Sequence, residues 1–122
     1  MDAFLNTIII YAKDVHRSAE FYRKFFGFST SGEVVEGLIE LNSTKSGARI
    51  LIHQSAKRIK LGQVAVKLVF SVKDVEGFKS KSAAQGLVFG ATHEANGYSF
   101  ANAKDPDKNT VSISSREFRK NA

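Results

Sequence analysis

The chain has 122 residues, 43% of them hydrophobic and ten of them Phe, enough to close a core and too apolar for a disordered segment. It contains no Cys and a single Pro, which excludes a disulfide framework, a thiolate nucleophile and a Cys-based zinc site, and argues against a linker-rich protein. The formal net charge of +6 invites nucleic acid, but the basic residues are dispersed. The densest tracts, "AKRIK" (56–60) and the C-terminal "REFRKNA", carry neither a nucleic-acid motif nor regularly spaced stacking aromatics. They read as solvated loops and a basic tail, so nucleic acid is not an expected partner.

In chain order, "MDAFLNTIII" begins acidic and runs straight into a strand-like pattern, without the basic region and long apolar run of a secretory signal. No apolar stretch is long enough to cross a bilayer, so a cytoplasmic protein with no membrane partner is expected. Ile8, Ile9, Ile10 and Tyr11 form a β-branched and aromatic run that predicts a buried strand. Asp14 then stands as a helix N-cap. Behind it Val15, Ala19, Tyr22 and Phe26 recur at helical spacing, with Phe21 and Phe25 widening the same face, and Gly27 supplies the stop. Three strand-like stretches follow, "GEVVEG", "LIELN" and "ARILIHQ", with turn signals at Gly37 and "STKSG".

About sixty residues on, the pattern returns: "KLVFSVKDV" (67–75) echoes "TIIIYAKDV" (7–15). Leu68, Val69 and Phe70 repeat the strand, Asp74 repeats the cap, and "VEGFKSKSAAQG" repeats a helix ending at Gly86. Then come "ATHEA", "YSFANAK" and "NTVSISS", separated by "ANG" and "DPDKN". Two copies are too few for a solenoid. The chain therefore reads as one α+β domain over 1–122, made of two βαβββ modules at about 1–58 and 59–122.

"TIIIYAKDVHRSAEFYRKFFGF" (7–28), "KLVFSVKDVEGF" (67–78) and "YSFANAKDPDKNTVSIS" (98–114) together resemble the vicinal oxygen chelate superfamily: glyoxalases, bleomycin resistance proteins and extradiol dioxygenases. The last stretch is similar to that family's closing "DPDGN" turn and final strand. The resemblance implies a curled mixed sheet forming a cup, helices packed outside it, and a site inside the cup that is often shared across a homodimer.

Strand parity bears on that site. Ile8, Ile10 and Ala12, then Ile50 and Ile52, Leu68, Phe70 and Val72, and Val111 and Ile113 give each strand one apolar face, expected under the helices. The opposite parity is mixed: Thr7, Ile9 and Tyr11; Arg49, Leu51 and His53; Lys67, Val69 and Ser71; Thr110, Ser112 and Ser114. From the pattern alone this face meets water. The resemblance turns it into the lining of a small-molecule site.

Enzymes of that family hold one divalent metal with His, Glu or Gln from the first and last strand of each module. The resemblance carries those positions onto Thr7, Leu51, Lys67 and Ser112. Leucine has no lone pair, an ammonium repels a cation and neutral hydroxyls are weak donors. No metal cofactor is expected. One alternative would gather His53, His93 and Glu40 into an unorthodox metal site; His16 reads as a surface residue in the first helical turn.

The expected ligand site is thus Thr7, Tyr11, Arg49, His53, Lys67 and Ser112, with Lys67 and Arg49 supplying fixed positive charge in place of an ion. The expected partner is a small anionic or aromatic molecule, stacked on Tyr11. In the competing arrangement Lys67 reaches the rim and pairs with Glu40 or Glu94. A metal-dependent lyase or dioxygenase with unorthodox ligands is the alternative function, as is a metal-free isomerase using His53 or Lys67 as base.

Overall fold

A computed structural model describes residues 1–120; Asn121 and Ala122, the end of the "REFRKNA" tract, lie outside the described residues. The chain divides into two compact units, Met1–Gln63 and the segment from Val64 onward. Each has the strand, helix and further strands that the internal repeat predicts.

The first unit contains β1 (Thr7–Ala12), α1 (Val15–Phe26), β2 (Leu38–Leu41) and β3 (Arg49–Gln54), in the sheet order β1-β3-β2. Strand β3 is central, parallel to β1 and antiparallel to β2. Helix α1 starts where Asp14 accepts a 3.1 Å hydrogen bond from the Arg17 amide, and stops at Gly27, whose φ of 74° suits a residue without a side chain. Its buried residues Val15, Ala19 and Tyr22 pack with Ile10, Ala12, Ile39, Leu41, Ile50 and Ile52, the apolar parity of all three strands. On its solvent side Arg23 donates to Glu20 at 2.8 Å, a hydrogen bond that holds the Glu20 carboxyl below its usual range. That pair is exposed and contributes little to stability.

"GEVVEG" does not form a strand. Glu36 (φ 53°) and Gly37 (φ 81°) are consecutive left-handed residues, as a two-residue type I′ turn requires, and Val35 and Leu38 exchange backbone hydrogen bonds of 2.9 and 3.1 Å across it. Val34 and Val35 remain exposed, so no burial favours extending the pairing. Ser29 and Asn42 make one further bridge.

The second unit contains β4 (Lys67–Ser71), α2 (Val75–Ala84), β5 (His93–Ala95), β6 (Tyr98–Lys104) and β7 (Thr110–Ser114), ordered β4-β7-β6-β5. All three strand-like stretches after its helix therefore pair. Asp74 caps α2 by accepting from the Gly77 amide at 2.9 Å. Val75, Leu87, Phe89, Ala101, Ala103, Val111 and Ile113 form the core. A short 3-10 turn, Arg116–Phe118, follows β7 and is pinned to β6 by hydrogen bonds from the Ser99 amide to Ser115 Oγ and from the Ser115 amide to the Ser99 carbonyl, both 3.0 Å.

The turn between β6 and β7 is built on Asp105, a buried carboxylate that accepts from the Asp107 amide, the Asn109 amide and Asn109 Nδ2, each at 2.9 Å. Lys108 sits there at φ 68°, where the "DPDGN" pattern has glycine. A Cβ in the left-handed region costs roughly 1 kcal/mol, while a glycine loses more entropy on folding. Lys108→Gly is therefore expected to stabilise the protein by about 0.5 kcal/mol. A lowered urea midpoint would show the turn to be held differently.

No described helix is long and apolar enough to cross a membrane.

Candidate functional site

Each unit leaves one sheet face without a helix, and the expected site residues lie on those two faces. On the first unit, register places Thr7 opposite Arg49, Ile9 opposite Leu51 and Glu40, and Tyr11 opposite His53 and Leu38. Tyr11 is half exposed, and its ring lies 5.3 Å from that of His53 at 49°. His53 Nδ1 is 2.9 Å from the Gln54 carbonyl oxygen. A carbonyl only accepts, so Nδ1 is the donor in this contact. Arg49 is exposed and makes no ion pair among the described residues. The Thr7 hydroxyl donates to Asn6 Oδ1 at 3.0 Å.

Of the alternative set His53, Glu40 and His93, the register puts Glu40 and His53 on one face at diagonal positions. Glu40 stands opposite Leu51 and His53 opposite Leu38, while His93 is on β5 of the second unit. Among the described residues no group of three or more His, Cys, Asp or Glu is placed to hold a metal ion.

On the second unit, Lys67, Val69 and Ser71 of β4 share a face with Thr110, Ser112 and Ser114 of β7, with Tyr98, Phe100, Asn102 and Lys104 of β6, and with His93 and Ala95 of β5. No Asp or Glu is on that face among the described residues. Glu94 has the opposite parity, and both its carboxylate oxygens lie 3.1 Å from the Ser99 hydroxyl. Among the described residues Lys67 makes no ion pair. Its ammonium instead lies 5.3 Å from the centre of the Phe100 ring, although Phe100 is two strands away and four residues along from Lys104, the residue in register with Lys67 through Thr110. The lysine stem must run diagonally over the sheet to get there.

Two other rings lie near Phe100. The His93 ring lies 5.1 Å away at 30°, and the Tyr98 ring 6.2 Å away. The guanidinium carbons of Arg116 and Arg119 are 5.9 and 5.6 Å from the Tyr98 ring, so this part of the basic tail docks on the sheet and is not merely solvated. Ser112 is buried and its hydroxyl donates to the Ala101 carbonyl at 3.1 Å, leaving only lone pairs for another group. Asn102 Oδ1 is buried and accepts no hydrogen bond from any described residue.

A profile of the Glyoxalase/Bleomycin resistance protein/Dioxygenase superfamily matches residues 4–113. The chain belongs to this superfamily. Solved structures with the same fold include UcmS2, 16% identical with a TM-score of 0.78 over 94% of this chain and 99% of that one. TnmS3, an antibiotic binding protein from Streptomyces sp. CB03234, is 14% identical with a TM-score of 0.76 over 92% and 94% of the two chains. A lactoylglutathione lyase from Agrobacterium tumefaciens is 17% identical with a TM-score of 0.72 over 93% and 94%. Among curated proteins none matches the sequence. The superfamily is that of a small-molecule-binding fold, and its neighbours include an antibiotic binder and a lyase; at these identities they share the fold alone.

Phe100 and Asn102 were absent from the residues expected at the site. Their signal is the two-residue alternation of "YSFANAK", which puts Tyr98, Phe100, Asn102 and Lys104 on one side.

Proposed function

We propose that the protein binds a small anionic or aromatic molecule on an open sheet face without a metal ion, as a cytoplasmic homodimer. The observation that carries this reading is Lys67, a cation without a carboxylate partner among the described residues, lying over an aromatic ring on a face that lacks acidic residues. Family membership makes small-molecule binding the expected use of such a face, and an antibiotic binding protein with this fold supports it.

The donor set at the positions implied for a metal does not fit a divalent ion. Leu51 has no lone pair, Lys67 is cationic, and the Thr7 and Ser112 hydroxyls are neutral and weak ligands. Charge does the ion's work in this reading, holding an anion through charge-assisted hydrogen bonds.

A native mass spectrum of gently purified protein, beside a denatured control, tests all of this together. The expected result is a metal-free dimer with a small organic mass that is lost on denaturation. A stoichiometric divalent ion would overturn the reading in favour of a metal-dependent lyase or dioxygenase, and a monomer would remove the homodimer.

A further inference from the structure

Asn102 makes a demand that no described residue of the second unit meets. Its Oδ1 is buried and without a donor, and buried acceptors in native proteins are nearly always satisfied by protein, water or a bound group. Its register neighbours cannot help. Ser112 beside it has spent its proton on the Ala101 carbonyl, and Val69 beyond has none to give.

Two further demands lie next to it. Phe100 is two residues along the same strand on the same face, roughly 7 Å away. The Lys67 ammonium over that ring has three donors and no carboxylate among the described residues. A cation on an aromatic face at a partly exposed site is held less strongly than one hydrogen-bonded to a carboxylate, so an arriving anion can draw it away. What then remains is an aromatic ring flanked by the rings of His93 and Tyr98, with an acceptor two residues along the strand.

We infer that this face takes a planar aromatic acid that also carries an O–H or N–H donor. The ligand carboxylate pairs with Lys67, its ring occupies the place the ammonium vacates on Phe100, and its donor satisfies Asn102 Oδ1. This deepens the binding function proposed above and rests on it. The absence of acidic residues from the face admits the carboxylate, and the orphaned oxygen selects among aromatic acids.

Titrating the full chain in ¹⁵N-resolved NMR with 4-hydroxybenzoate, 4-methoxybenzoate and 4-hydroxybenzyl alcohol separates the parts. The expected result is shifts at Phe100, Asn102 and Lys67, with 4-hydroxybenzoate bound about tenfold more tightly than either comparison compound. Asn102→Leu is expected to abolish the preference for hydroxy over methoxy while leaving the fold at least as stable, because it removes the unsatisfied atom. A loss of stability in that variant would mean that the oxygen is already satisfied by water, and would overturn the donor assignment. Equal binding of the two acids would do the same while leaving an anionic aromatic ligand in place. Equal binding of the neutral alcohol would remove the anionic half, and shifts confined to Tyr11 and His53 would move the site to the other unit's face. No shift with any probe at millimolar concentration would overturn both this inference and the function on which it rests.

Discussion

Tyr22→Ala is expected to cost about 3–5 kcal/mol of folding stability, the range for truncating a fully buried large aromatic side chain. Tyr22 is 0% exposed, on the inward side of α1, with the rings of Phe21, Phe26 and Phe28 between 5.1 and 6.4 Å away. These aromatics and the apolar parity of β1, β2 and β3 leave a cavity when the ring is removed, because α1 is held at both ends by its caps. The control is Tyr11→Ala, the same chemical change at a residue 52% exposed, which is expected to cost under about 1 kcal/mol. Urea unfolding followed by far-UV circular dichroism measures both. Since single domains have about 5–15 kcal/mol in all, the Tyr22 variant should be partly unfolded in mild urea. Equal costs for the two substitutions would mean that α1 does not pack through Tyr22.

That contrast shows how far the sequence specifies the structure. The spacing of Val15, Ala19 and Tyr22 points inward because 3.6-residue periodicity is local, and both Asp caps and the Gly27 stop act within one turn of their own positions. The inward parity of the strands is equally local, and it holds for Ile10, Ile50, Ile52, Val111 and Ile113. "GEVVEG" went the other way because two left-handed residues closed a tight turn beside valines with nothing to cover them, a tertiary fact that apolar composition conceals. The expected site residues divide in the same manner. Thr7, Tyr11, Arg49 and His53 meet on one face because parity and pairing bring them there. The Lys67 contact with Phe100 depends on a side chain crossing two strands, and no periodicity encodes that path.

The same crossing makes Lys67 the residue whose loss should matter most to binding and little to folding. A hydrogen bond to a charged group contributes about 1.5–3 kcal/mol, so Lys67→Ala should weaken 4-hydroxybenzoate binding roughly tenfold to a hundredfold. In the folded protein the side chain contributes a contact with Phe100 worth about 0.5–1 kcal/mol at an exposed position, and it is engaged in no ion pair among the described residues. Its removal should therefore move the urea midpoint only slightly. Lys67→Arg keeps the charge with a different donor geometry and is expected to retain most of the affinity; Lys67→Met keeps much of the stem's apolar cover over the sheet and is expected to lose affinity as the alanine variant does. Affinity that follows the charge across these three variants assigns Lys67 to the anion. If methionine instead restores binding, the stem matters as packing over the sheet and the anionic ligand loses its main support. Affinity unchanged in all three would place the ligand away from this face.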